Sequence, residues 1–212
     1  MNANRAKISL NAMSVNFQFQ NLKNYNNINY QTTPFIIFAI KIKDMESIEY
    51  FPLVNEEGKV IGKATRAECH GGSFWLHPVV HLHVFNSAGE LYLQKRSMSK
   101  DIQPGKWDTS VGGHVDYGEE IENALRREVM EELGITEFEP IFIQRYKFQS
   151  SQEAELVHSY YTIYDGAITP DPIEISEGQF WEKAEIEKMI ESGVFTQNFK
   201  EEYSLIIRHL KV

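Results

Sequence analysis

The segment that most constrains this chain is Glu119–Leu133. Ile121, Leu125, Val129 and Leu133 recur at helical spacing, and at about 100° per residue they form one apolar stripe. Glu128 and Glu132 project inside the edges of that stripe, Glu131 lies at its margin, and Ala124 falls just beyond. Arg126, Arg127, Asn123 and Met130 point elsewhere, and Gly134 follows as a natural left-handed stop. A solvated helix turns its acids outward, whereas two of these face the protein body. Burying a carboxylate is costly without a positive partner, so the fold must supply one. Three glutamates at i, i+3 and i+4 suit a hard divalent cation that takes oxygen ligands. The bland alternative is a charged surface helix paired with Lys and Arg, and the glutamates taken alone favour it.

The flanking sequence reads as short strands between turns. Ile48–Val54 and Lys59–Ala64 are joined by the turn Asn55-Glu56-Glu57-Gly58, and Pro78–Phe85 runs through Asn86–Gly89 into Leu91–Lys95. Trp107–Val111, Phe138–Phe148 and Leu156–Tyr164 are predicted as further strands. Glu182–Ile190 and Thr196–Leu210 are predicted as helices, the second with Phe199, Tyr203, Ile206, Ile207 and Leu210 on one stripe. The expectation is a single α/β (α+β) domain over residues 45–212, a mixed sheet sandwiched between helices.

Charge divides the chain. Of 212 residues, 21 are Lys or Arg and 30 Asp or Glu, a net charge of −9, yet residues 1–43 hold five basic residues and no acid. The remainder is therefore −14. Residues 1–44, rich in Asn, are expected to be a poorly ordered leader or, over Phe35–Lys43, an added edge strand, with Met45 as a native start. The single Cys69 excludes an internal disulfide framework and a Cys-based structural zinc site. The longest apolar run, Phe35–Ile40, is far short of a span. An acidic chain is a poor prior for nucleic acid. A cytoplasmic protein acting on a small molecule, without nucleic-acid or membrane partners, is the expectation, and a homodimer is compatible with it.

The wider pattern around the helix resembles the Nudix hydrolase family. Its box is Gly, five residues, Glu, seven residues, Arg-Glu, an aliphatic, one residue, Glu-Glu, one residue, Gly and an aliphatic. Gly113, Glu119, Arg127, Glu128, Val129, Glu131, Glu132, Gly134 and Ile135 fill its nine places within 23 residues. The resemblance extends over most of residues 47–210 and implies the Nudix fold, a loop–helix–loop box, and Mg²⁺ or Mn²⁺ held by Glu128, Glu131 and Glu132, often with the Gly113 carbonyl. It implies hydrolysis of a diphosphate linkage, in a nucleoside diphosphate derivative or a related small pyrophosphate. Bound cations would neutralise phosphate oxygens and activate water. Arg127, at i, i+4 from Glu131, is placed to orient it, and Glu119 in the first helical turn is a supporting group.

The histidines are similar to those of isopentenyl-diphosphate isomerases, which share this fold. His70 and His77 bracket a loop, His114 follows the box glycine, and Glu153 and Glu155 alternate. The likeness implies a second metal site of His70, His77, His114, Glu153 and Glu155. Gly112 stands where the isomerases carry a catalytic cysteine, which speaks against isomerase chemistry. His81 and His83 are expected to line the strand's inner face rather than bind metal. Glu131, Glu132, Arg127 and Glu155 are the catalytic candidates, with Glu153 and Glu177 further candidates for the general base. Lys95, Arg96 and Lys100 are candidates to meet phosphates, and Phe74, Trp75 and Trp107 to stack a base or pack the core. A non-catalytic nucleotide-sensing module is the remaining reading, disfavoured by the complete box.

Overall fold

The computed structural model describes residues 48–100 and 102–209. The leader, its predicted edge strand and Met45 lie outside the described residues. Strands β1 (Tyr50–Val54) and β2 (Val60–Thr65) pair antiparallel as a separate two-stranded sheet. Their turn is the expected one, with Gly58 N–H donating to Asn55 O at 2.9 Å. After β2 come the short helix α1 (Arg66–Glu68) and a π turn, Cys69–Ser73. The strand predicted over Pro78–Phe85 follows, and it begins two residues earlier, at Leu76.

The main sheet has the strand order β5-β4-β3-β8-β7, with β6 also on β3 and β9 also on β4. Its members are β3 (Leu76–Phe85), β4 (Leu91–Arg96), β5 (Trp107–Asp108), β6 (Val111–His114), β7 (Ile141–Gln149), β8 (Ala154–Ile163) and β9 (Ile175–Trp181). The pair β3–β8 is parallel and the others are antiparallel, so the sheet is mixed. One expected strand, Trp107–Val111, is instead two. Thr109 and Ser110 break it because both are buried with side-chain hydrogen bonds, including Ser110 Oγ accepting from Val84 N–H at 2.9 Å.

Helix α2 (Ile121–Leu133) covers one face, burying Ala124, Leu125, Val129 and Leu133 against Val80, Leu82, Val84 and Val111. Helices α3 (Lys183–Met189) and α4 (Gln197–His209) contribute to a second cluster, where Ile186, Phe199, Tyr203 and Ile206 meet Leu93, Trp107 and Trp181. Trp107 is thus a core residue. The expected Gly134 stop holds: φ is +68° and its N–H donates to Met130 O at 3.0 Å. Glu119 is a correction. It precedes the helix by two positions because Gly118, at φ +92°, turns the chain before Glu120, which occupies the position ahead of α2 without a side-chain capping bond.

Candidate active site

Two polar groups flank strand β6. The first is built on α2. Glu132 is buried, Glu128 is mostly covered and Glu131 is exposed, so the helix presents its acids in graded depth. Burial first, then the charges of Glu128 and Glu174, push the Glu132 carboxyl well up, with Lys100 and Gln94 opposing. Glu128 is also raised, chiefly by burial and against Arg127. Gln94, on β4, donates from Nε2 to Glu132 Oε2 at 2.8 Å.

Arg127 knits the loop to the helix. Its guanidinium donates to both oxygens of Glu119 (3.0 and 2.9 Å), to Glu128 Oε1 (2.8 Å), to Glu131 Oε2 (3.2 Å) and to the His114 carbonyl (3.0 Å). A bidentate guanidinium–carboxylate pair adds geometric definition to charge. Glu119 also accepts from the Asp116 N–H. Gly113 lies against Glu128, and a Cβ there would fall 2.0 Å from Glu128 Cδ. Gly113→Ala is therefore expected to destabilise by about 1–3 kcal/mol, the usual cost of overpacking, and to displace Glu128. Thermal melting together with metal-dependent turnover checks this, and an unperturbed melt with full activity would contradict it.

The second group gathers His70, His77, His114 and Glu153, whose ligand atoms all lie within 4.8 Å of one another. His70 comes from the π turn, His77 from β3, His114 from the end of β6, and Glu153 from just before β8. His77 Nδ1 donates to the Trp75 carbonyl at 2.9 Å, so its Nε2 carries the lone pair. That Nε2 is buried and has no hydrogen-bond partner among the described residues. Burial, with Arg66 and the neighbouring rings adding to it, drives His114 well below the usual histidine range, and burial lowers His77 too, so both rings are neutral. Phe51 of β1 stacks on His114 at 4.4 Å between ring centres. Neutral imidazoles with an orphaned Nε2 beside a buried carboxylate are a donor set that fits a divalent ion.

Glu155 stands outside this four-residue group. It is buried, and burial with the charge of Glu153 pushes its carboxyl up to about 8. Glu177 sits on β9, exposed, with its carboxylate 3.3 Å from Lys95 Nζ. Arg96 is braced between Asp108 Oδ2 (3.2 Å) and the Ile102 carbonyl, and Lys100 pairs with Glu174 at 2.6 Å. Phe74 and Trp75 are exposed. The Cys69 thiol is buried, and burial raises it to about 11.

Three residues important here were not singled out from sequence. Gln94 and Arg66 offered no signal. Glu202, fully buried on α4, did offer one. It accepts from His81 Nδ1 (2.7 Å), His83 Nε2 (3.0 Å) and Ser159 Oγ (2.6 Å). It lies three residues after Phe199 and four before Ile206, inside the apolar stripe.

Residues 75–199 match the family described as the NUDIX domain. The chain is 30% identical over 170 residues to isopentenyl-diphosphate Delta-isomerase 1 of Photorhabdus laumondii, covering 76% of this chain and 97% of that protein. It is 32% identical to an uncharacterized Nudix hydrolase of Listeria monocytogenes, covering 72% of this chain and 90% of that one. A crystal structure of a Deinococcus radiodurans protein superposes with TM-score 0.66 at 29% identity, covering 77% of this chain and all of that one. With the domain match spanning more than half its length and the sheet, box helix and glycine stop in place, the chain belongs to the Nudix family.

Proposed function

We propose that this protein is a divalent-metal-dependent hydrolase of a diphosphate linkage in a small molecule, a nucleoside diphosphate derivative or a related pyrophosphate. The observation that carries the reading is Glu132, a buried carboxylate whose burial and acidic neighbours outweigh the compensation offered by Lys100 and Gln94. Such a cluster awaits a cation. Glu128, Glu131, Glu132 and the Gly113 carbonyl would hold Mg²⁺ or Mn²⁺. When bound, the ion supplies neutralisation of phosphate oxygens and an activated water. The chain's own residues do the rest. Arg127 fixes Glu119, Glu128 and Glu131 relative to β6, and Gln94 orients Glu132. Glu155, walled in beside Glu153, is the proposed proton-handling carboxylate, with Glu153 and Glu177 as the other candidates.

The reading is tested by a release assay for phosphate or nucleoside monophosphate over a panel of diphosphates with Mg²⁺, Mn²⁺ and Zn²⁺. Turnover of one class supports it; none on any member favours a nucleotide-binding module. Isopentenyl diphosphate belongs in the panel, since the His70/His77/His114/Glu153 group and the isomerase relatives favour a second reading. Against that reading, Gly112 offers no side chain to react.

The His/Glu group is proposed to hold a second divalent ion. His77→Ala is expected to remove about one equivalent of tightly held metal, measured by plasma emission after gel filtration. Metal content equal to wild type would remove this site from the reading.

A further inference from the structure

Strand β6 brings three consecutive residues against three different groups. His114 enters the His/Glu cluster, Gly113 packs on Glu128, and Gly112 faces His81 across the β3–β6 ladder. The first two contacts belong to the proposed metal centres. The third is assigned to nothing so far.

His81 is nearly buried, yet one edge of its ring is not sealed by protein. Its Nδ1 is committed to Glu202 at 2.7 Å. Its Cδ2 and Nε2 lie 3.4 and 3.5 Å from the place a Cβ on Gly112 would occupy. Gly112 is exposed, whereas Gly113 beside it is buried, so this edge of the imidazole gives onto the open side of β6. No hydrogen bond to His81 Nε2 occurs among the described residues. We propose that His81, buttressed by Glu202, donates a hydrogen bond from Nε2 to a phosphoryl oxygen of the substrate on the floor left open by Gly112.

The argument is one of charge and orientation. Glu202 is fully buried and accepts from two imidazoles and a hydroxyl, and a buried carboxylate requires a cationic partner. Burial opposes the charge on His81, but the carboxylates of Glu202 on α4, Glu155 on β8 and Asp108 on β5 outweigh it and raise the ring to about 9; the His114 ring at the end of β6 also faces it electrostatically. With Nδ1–H spoken for, the remaining N–H of the cation can point only from Nε2. A carboxylate-backed imidazolium is thereby presented beside Gly112, as a fixed positive donor among the acids Glu202, Glu155 and Asp108. An anionic oxygen is the acceptor that complements it.

This inference rests on the diphosphate reading above, and the test separates the two. Inorganic pyrophosphate is titrated into the Mg²⁺-treated full chain by calorimetry, and histidine ¹⁵N–¹H spectra are recorded alongside. Wild type is expected to bind, with the His81 Nε2 signal moving on addition. His81→Gln is expected to weaken binding by about tenfold or more, the scale of one charge-assisted hydrogen bond. Glu202→Gln, which keeps the ring but removes its counter-charge, is expected to weaken binding as well. A merely structural role for the pair would lower the melting temperature without moving the dissociation constant or the Nε2 signal, and that result overturns the proposal. If wild type hydrolyses diphosphates while His81→Gln binds pyrophosphate equally well, this inference fails and the functional reading stands. If wild type neither binds nor hydrolyses any diphosphate, both fall.

Discussion

Replacing Glu132 with glutamine is expected to lower metal-dependent turnover by about 10²–10³-fold, the scale of removing one electrostatic contributor from a preorganised site. The fold should survive, because glutamine matches the shape and its amide oxygen can still accept from Gln94. Stability is expected to move the other way. A carboxyl whose folded pKa is raised opposes folding wherever it would be ionised in the unfolded chain. Metal-free wild type should therefore lose stability as pH climbs from the ordinary 4.5 towards the raised value, and the variant should not share that loss. At neutral pH, without metal, Glu132→Gln should melt at or above the wild-type temperature while its turnover collapses. Steady-state assays and melting curves at several pH values measure both arms. Unchanged turnover on the true substrate would mean that the box is not the active site.

Glu202→Ala should be the most damaging change to stability. It leaves His81 and His83 facing a void and removes the acceptor for Ser159. Breaking a buried pair by deleting one partner costs about 3–5 kcal/mol, a large share of a domain's margin. Urea denaturation, treated as two-state, gives the number directly. The pair also has a pH signature. His81 is raised from 6.5 to about 9, so its contribution is complete below 6.5 and fades as pH rises through 9. Glu202 is held well below 4.5, so its contribution is complete above 4.5 and fades in acid. The wild-type urea midpoint should therefore fall between about pH 6.5 and 9. In His81→Gln that slope should flatten, and an undiminished slope would assign it to other groups.

The box was legible because helical periodicity makes a carboxylate on an apolar stripe visible in one dimension. The same logic applied to Glu202, which sits among Phe199, Tyr203 and Ile206; a stripe counted by its apolar members alone passes over it. Strand β9 was not legible. Only Ile175 and Trp181, at its two ends, are buried, and the residues between alternate too weakly to signal a strand. Glu119 was placed two positions too deep because nothing in its spacing reveals that Gly118 adopts positive φ. His70, His77, His114 and Glu153 were grouped through the isomerase likeness, but the π turn over Cys69–Ser73 that carries His70, where Gly71 and Gly72 depart from helical angles, is a conformation that composition does not announce. The helices and most strands were set by patterns local in sequence. What escaped were contacts made between distant segments.

Phe51 reaches the histidine group from a hairpin whose ladder, among the described residues, is shared with no other strand. Among the described residues the hairpin is held to the remainder of the domain by side chains such as Phe51 and by backbone bonds such as Tyr117 N–H to Tyr50 O, so its docking and the assembly of that group are one equilibrium seen from two ends. Any ion that prefers the assembled histidines tightens the hairpin by the same free energy that a loosened hairpin subtracts from the ion's affinity. The two-stranded sheet thus behaves as a clasp whose tension is set by occupancy, and residues remote from every ligand atom, along β1 and β2, become determinants of how firmly the centre holds its charge.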